Sequence, residues 1–100
     1  MQEIRASHVR MKQNYLGTSA YQTLEGQLLE IDEIFLIGVS RDGWYKKEKV
    51  HDFVNHGNEV SVDIYPNPIL IAAVSINNEK YVRSTPNDST QDNLLSLPRG

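Results

Sequence analysis

The alternation of apolar and polar positions predicts a chain built mostly of β-strands. Segments that alternate strictly are expected to be buried on one face, and segments that are apolar on both parities are expected to be buried on two. The pattern is clearest at 60–65, where apolar residues at 60, 62 and 64 alternate with their neighbours. The five predicted strands are 2–12, 28–39, 60–65, 69–76 and 79–84.

The first two predicted strands are separated by a long connection. Within 2–12 the apolar positions change parity midway, which indicates either a β-bulge or a later start of the strand. Within 28–39 the odd-numbered apolar residues are expected to face the core, with Glu30 and Asp32 on the solvent side. The polar segment 13–27 is predicted to be a connection of unusual length for a small domain.

The hydrophobic period changes to that of a helix at 44–56. Val50, Phe53 and Val54 form a narrow apolar stripe at helical spacing, and Gly57 is expected to end the helix in the left-handed conformation. The start of this helix conflicts with its dipole, because lysines at 46 and 47 place positive charge at the positive end.

The remaining strands give an α+β fold. Segment 69–76 is apolar on both parities, so we expect it in the middle of the sheet. Asn77-Asn78 tolerates positive φ and predicts a hairpin turn into the last strand. The order β-β-α-β-β-β predicts a five-stranded, mainly antiparallel sheet with one helix packed on it, and residues 1–100 are expected to form a single domain.

The segment 85–100 is expected to dock on this domain as a C-terminal tail. Leu94, Leu95 and Leu97 would otherwise expose three large apolar side chains to water, so they are predicted to cover an open side of the core. Pro98 is expected to stop any helical turn at this point.

Composition limits the chemistry. The 100 residues carry a formal net charge of -3 and include no cysteine, which excludes thiolate chemistry and disfavours a dedicated nucleic-acid binder. The longest apolar stretch, 69–74, is far shorter than the ~18 residues of a membrane span. The first residues do not resemble a secretion signal, so a cytoplasmic location is expected.

Catalytic and cofactor motifs are missing from the sequence. His51 and His56 lie about 140° apart around the predicted helix, so they do not form a metal pair of the i, i+4 type. Neither the Gly-x-Ser-x-Gly motif of serine hydrolases nor the phosphate-binding Gly-x-x-x-x-Gly-Lys motif occurs. We therefore predict a protein that is not an enzyme and that needs no metal or cofactor.

Four segments are similar to a known family. They are Gly43-Trp44, the predicted helix that ends at Gly57, residues 80–85 with the sequence KYVRST, and residues 92–98 with the sequence DNLLSLP. Together they resemble the small bacterial domains of the domain-of-unknown-function family 3892 over roughly residues 30 to 100. The family pattern has threonine where Ser84 stands and a short loop with glycine and histidine in place of 13–27. The resemblance implies a related fold but no activity.

Six residues are candidate ligand contacts. An aromatic ring and a planar guanidinium can stack on a base or clamp a phosphate, and Trp44 with Arg83 supplies both. In the structural alternative, Trp44 covers the end of the sheet, while Arg83 pairs with Asp92 and holds the tail in place. The candidate contacts are Trp44, Lys47, Tyr81, Arg83, Asp92 and Asn93.

Two kinds of binding function therefore stay open. The first is binding of a small anionic ligand, for instance a nucleotide-like signal. The second is a protein-interaction adaptor that uses a sheet edge or the lysines at 46, 47 and 49, although a solvated helix face also explains those lysines. A chain of this size would build a pocket most readily between subunits, so we expect a homo-oligomer.

Overall fold

The computed structural model describes residues 4–12, 24–38, 41–64, 67–84 and 93–100. The fold is α+β, as the sequence predicts, with six strands in these ranges. The elements are β1 (Ile4–Met11), α1 (Leu24–Leu29), β2 (Ile31–Ile37), β3 (Gly43–Lys46), α2 (Lys47–Asn55), β4 (Val60–Val62), β5 (Leu70–Val74), β6 (Lys80–Ser84) and a 3-10 helix (Asn93–Ser96).

These strands form two sheets, and the expectation of one five-stranded sheet is wrong. The larger sheet has the order β3-β2-β1-β4, with β1 antiparallel to β2 and parallel to β4, and β5 and β6 form a separate hairpin. Within the described ranges, one bridge, between Ser61 and Ile69, joins the two sheets, and the Val62 amide supports it by donating to the Pro68 carbonyl at 2.8 Å. Because β4 has only three residues, it cannot continue the ladder, and the hairpin leaves the main sheet.

An irregularity in β1 confirms the predicted bulge. The register of β1 on β2 shifts between Ala6 and His8, so Ser7 is an extra residue on β1. The extra residue changes the parity of the strand. Ala6 and Val9 consequently both face the core, although their sequence spacing would place them on opposite faces.

The face of β2 that packs on the core differs from the predicted one. Ile31 and Ile34 are buried, whereas Phe35 and Ile37 point away from the core. The cause is a second register shift, at which Asp32 has no partner on β1 and acts as an inserted residue. The prediction that odd-numbered residues of this strand face the core is therefore correct for Ile31 and wrong for Phe35 and Ile37.

Two elements lie where the sequence predicted something else. The helix α1 occupies 24–29, which was expected to be connection and the start of a strand, and residues 13–23 lie outside the described ranges. The strand β3 occupies the beginning of the predicted helix, so α2 starts only at Lys47. Its predicted end is confirmed, because Gly57 has a φ of +99°.

The three tail leucines close the core on the side of the hairpin. The 3-10 helix lies against β1 and β6, and Leu94, Leu95 and Leu97 are all buried, as expected. Beyond Pro98 the main chain pairs in parallel with β1. The Val9 amide donates to the Pro98 carbonyl at 3.0 Å, and the Gly100 amide donates to the Val9 carbonyl at 2.9 Å.

Truncation of Leu94 should destabilise the fold strongly. Leu94→Ala removes a fully buried side chain and leaves a cavity, so we expect the free energy of unfolding to fall by about 3 kcal/mol in urea denaturation. Ser96→Ala, an exposed position in the same 3-10 helix, is the matched control and should change it by less than about 0.5 kcal/mol. Equal effects of the two changes would show that the leucine is not part of the core.

Candidate functional site

Trp44 lies in an aromatic row on the outer face of the four-stranded sheet. It stands opposite Phe35 in the register of β3 on β2, and Phe35 stands opposite His8 on β1. The Trp44 and Phe35 rings meet edge to face, with 5.4 Å between centroids, and those of Phe35 and His8 do so at 6.1 Å. The row faces away from the core, because Phe35 alternates with buried neighbours.

The guanidinium that covers Trp44 belongs to Arg10, which is not among the predicted ligand contacts. Arg10 Cζ lies 4.1 Å from the centroid of the Trp44 ring, and Arg10 Nη1 donates to Glu33 Oε1 at 3.0 Å. The main chain of Gly100 also lies against this ring, since a Cβ at that position would overlap it. Trp44 thus contacts the protein itself and holds residues 98–100 against the sheet, close to the structural alternative considered for it.

Lys47 points into the protein and pairs with Glu79. Its side chain is only 3% exposed, and its Nζ lies 2.8 Å from Glu79 Oε2 and 3.2 Å from Glu48 Oε2. Glu79 Oε2 also accepts from Lys12 Nζ at 3.0 Å. The three residues come from the start of α2, the turn of the β5–β6 hairpin and the residue after β1, so one carboxylate links both sheets to the helix.

The shared carboxylate changes the ionisation of the cluster. Hydrogen bonds from Lys47 first, and then from Lys12, hold the pKa of Glu79 below its usual range. The same hydrogen bond from Lys12 to Glu79 raises the pKa of Lys12. Both shifts favour the charged forms, so the ion pairs persist over a wide pH range.

The lysines at 46, 47 and 49 do not form one solvated helix face. Lys46 lies at the end of β3 and just before α2, where its side chain makes no capping hydrogen bond and pairs with Asp32 at 3.2 Å, whereas Lys47 is buried. Of these three lysines, only Lys49 is an exposed residue within α2. The conflict between these charges and the helix dipole is relieved, because Asp32, Glu48 and Glu79 neutralise the two lysines at the helix start.

Tyr81 and Arg83 lie on β6, in the other sheet from Trp44. Tyr81 is buried in the core, and its carbonyl is 3.0 Å from Nδ1 of the buried His51 on α2. Arg83 is half-buried and stands opposite Ile71 of β5. Its Nε is buried and has no hydrogen-bond partner among the described residues.

The last two predicted contacts fall at the edge of the described ranges. Asp92 lies outside them, so the predicted pair between Arg83 and Asp92 lies outside them too. Asn93 is the first residue of the 3-10 helix, and only its backbone is described.

The most exposed apolar side chains lie along β5, which is an edge strand and not the central strand expected from its sequence. Ile71 is 40%, Val74 53% and Ile76 96% exposed. On one side β5 pairs with β6, and on the other, within the described ranges, it meets β4 only at the Ser61–Ile69 bridge. A local apolar pattern cannot show how many neighbours a strand has, which is why the prediction failed.

On this side the backbone of β5 has N–H and C=O groups that no strand of the described ranges pairs with. The Ser75 amide donates to the Glu79 carbonyl at 2.9 Å, so odd-numbered residues of β5 turn their peptide groups toward β6. Those of Ala72 and Val74 therefore point to the other side. We call this surface the β5 edge: the outward peptide groups of Ala72 and Val74, with the side chains of Ile71, Val74 and Ile76.

Comparison with known proteins identifies the family. The family model described as protein of unknown function (DUF3892) matches residues 32–98. The chain belongs to the DUF3892 family. No curated protein and no solved structure matches it.

The DUF3892 match covers some of the contacts described above and not others. It spans Trp44, Lys47, Glu79, Arg83 and the whole of β5. It begins after β1, so the Arg10 guanidinium over Trp44 and the Lys12 ammonium on Glu79 come from outside the matched part of the chain.

Sequence reasoning missed three features of this DUF3892 chain: Arg10, Glu79 and the β5 edge. The Arg10–Trp44 contact and the Glu79–Lys47 pair each join residues more than 30 positions apart. A single sequence holds no local signal for such contacts. A signal for the β5 edge did exist. Segment 69–76 carries no charge and is apolar on both parities. Such a strand pairs readily with another strand when it lies at the edge of a sheet.

Neither α1 nor α2, the α-helices of the described ranges, is long and apolar enough to cross a membrane. Within the same ranges, no three His, Asp or Glu side chains gather as a group that could hold a metal ion.

The stability of this DUF3892 domain should fall at acid pH through Glu79. Because the folded-state pKa of Glu79 is lowered, its contribution is complete above the unfolded-state pKa and is lost as pH falls through the folded-state value. We expect the free energy of unfolding in urea to decrease from pH 6 toward pH 3. Glu79→Gln should lower it at pH 6 by about 2 kcal/mol and flatten this decrease.

Glu59→Gln, at an exposed carboxylate in the loop before β4, is the control. It should leave both the stability at pH 6 and its pH dependence close to those of the unmodified protein. The role given to Glu79 would be wrong if the two variants had the same pH profile.

Proposed function

We propose that this domain is a non-enzymatic protein-interaction module whose binding surface is the β5 edge. The observation that carries the proposal is a neutral strand whose outward peptide groups and large apolar side chains are exposed together. A partner strand that adds to such an edge gains main-chain hydrogen bonds, and apolar side chains on the added strand supply selectivity.

The other outer strands of the domain carry features that oppose such pairing, and this contrast supports the proposal. Edge strands are normally protected by short length, by charges or by proline. β3 has only four residues and ends in the charged Lys46, and β4 has only three residues. Between residues 69 and 78, β5 and its turn contain neither a charged residue nor a proline.

The lysines, as the other adaptor surface considered, receive less support. Lys46 is engaged with Asp32 and Lys47 is buried against Glu79, so only Lys49 of the three is left on an exposed helix surface without such a pair among the described residues. The sheet edge therefore remains the adaptor surface that we propose.

Photo-crosslinking in living cells tests this function. A benzophenone amino acid in place of Ile71 would lie on the β5 edge, and in place of Ile37, which has the same exposure, it would lie on the outer face of β2. We expect ultraviolet light to give a covalent protein adduct from position 71 and none from position 37. No adduct at 71, or the same adducts at both positions, would refute the β5 edge as an interaction surface.

A second candidate function is binding of a small anionic ligand, for instance a nucleotide, at Arg83. A buried guanidinium N–H without a partner costs free energy, and a phosphate or carboxylate oxygen would satisfy it. Arg83 stands opposite exposed Ile71, so a ligand there would lie beside the β5 edge. Trp44 and Lys47 are engaged elsewhere, so we assign them no part in this site.

Thermal unfolding with a panel of nucleoside mono-, di- and triphosphates tests the second function. A ligand at a hundred times its Kd should stabilise the protein by about 2.7 kcal/mol and raise the melting temperature by several degrees. Arg83→Gln should abolish the rise, and Arg41→Gln, at an exposed arginine, should keep it. A melting temperature that no nucleotide changes would refute this site.

A further inference from the structure

We infer that the strand which binds the β5 edge is β5 of a second copy of this chain, in antiparallel orientation. This inference rests on the proposed function and names its partner. Two hairpins would then form one continuous sheet of the order β6-β5-β5-β6, related by a two-fold axis.

The mismatch between the sequence of β5 and its position is the first support. Segment 69–76 has the composition of a central strand, because it is apolar on both parities. Within the described ranges of the single chain, however, β5 pairs along its length with β6 alone. Pairing with a second copy would give β5 a neighbour on each side. The expectation of a central strand, wrong for the single chain, would then hold in the dimer.

The peptide groups of the edge determine the register. Within the described ranges, Ala72 and Val74 are the residues of β5 whose outward N–H and C=O groups have no strand partner, because the bridge to β4 occupies the start of the edge. If Ala72 of each copy pairs with Val74 of the other, both residues use their N–H and C=O groups, and four hydrogen bonds form across the axis. Ala73 of one copy then lies directly opposite Ala73 of the other.

Charge does not oppose this pairing. Residues 69–78 contain no charged side chain, so two identical strands can approach without like-charge repulsion. Two charges beside β5 are engaged within each copy, since Lys80 on β6 pairs with Asp52 at 2.9 Å and Glu79 in the preceding turn pairs with two lysines. A partner of strong charge would find no complementary group on the strand itself.

Sedimentation equilibrium of the purified full chain tests the self-pairing. We expect the unmodified protein to sediment as a dimer. Val74→Glu should make it a monomer, because each new carboxylate would be placed against the apolar Ala72 of the other copy. Within each copy the new carboxylate faces Lys80 across the hairpin, which should preserve the fold. Ile37→Glu, which faces Arg5 across β1 and β2, is the matched control and should stay dimeric.

Cysteine crosslinking tests the register even if Val74→Glu fails to fold. The chain has no cysteine, so Ala73→Cys introduces a single thiol. Cα atoms directly opposite each other at a non-hydrogen-bonded antiparallel position are about 4.5 Å apart, within the range that a disulfide needs. We expect Ala73→Cys to form a disulfide-linked dimer under mild oxidation, and Ile37→Cys to remain largely unlinked.

The outcomes separate this inference from the function on which it rests. A monomeric unmodified protein at all concentrations, with no disulfide from Ala73→Cys, would overturn the second copy as partner. Adducts from position 71 with a different protein would then still uphold the β5 edge as an interaction surface. If neither purified protein nor living cells show any contact at this edge, both proposals fail.

Discussion

The Glu79 carboxylate is the interaction on which the arrangement of the two sheets most depends. Among the residues that the structure describes, one backbone bridge joins the β5–β6 hairpin to the main sheet, so other contacts must help to hold the hairpin in position. Glu79 supplies one, because it accepts from Lys12 at the end of β1 and from Lys47 at the start of α2. Lys47 is nearly inaccessible to water, so loss of its partner would leave a buried charge, which is far more costly than loss of a surface ion pair.

The same arrangement explains why, within the described ranges, the outer side of β5 has no neighbouring strand along most of its length. The hairpin packs against α1, α2 and the 3-10 helix, and both faces of β6 are covered, because the adjacent residues Tyr81 and Val82 are both buried. It leaves the main sheet after the short β4, so the ladder does not continue along β5. The strand with the most apolar sequence in the chain is thus placed at the boundary of the domain, and binding at this boundary adds to the fold without rearranging it.

Much of the fold could be predicted from local patterns, and the failures have physical causes. The bulge in β1, the end of α2 at Gly57 and the burial of the tail leucines depend on residue types in a short window. β3 was missed because four residues next to a helix show no period of their own. The contact between Arg10 and Trp44 was missed because it joins strands far apart in sequence, for which a single sequence holds no local signal.

The pairing of β1 with residues 98–100 has a consequence for the order in which the protein is assembled during synthesis. Val9 is synthesised well before Pro98 and Gly100, yet its amide donates to the Pro98 carbonyl and its carbonyl accepts from the Gly100 amide. Until residues 98–100 have been made, these groups of β1 must stay hydrated, and a stretch of sheet stays unfinished. Such long-range contacts slow folding, so this part of the sheet can be completed only after residues 98–100 have been translated.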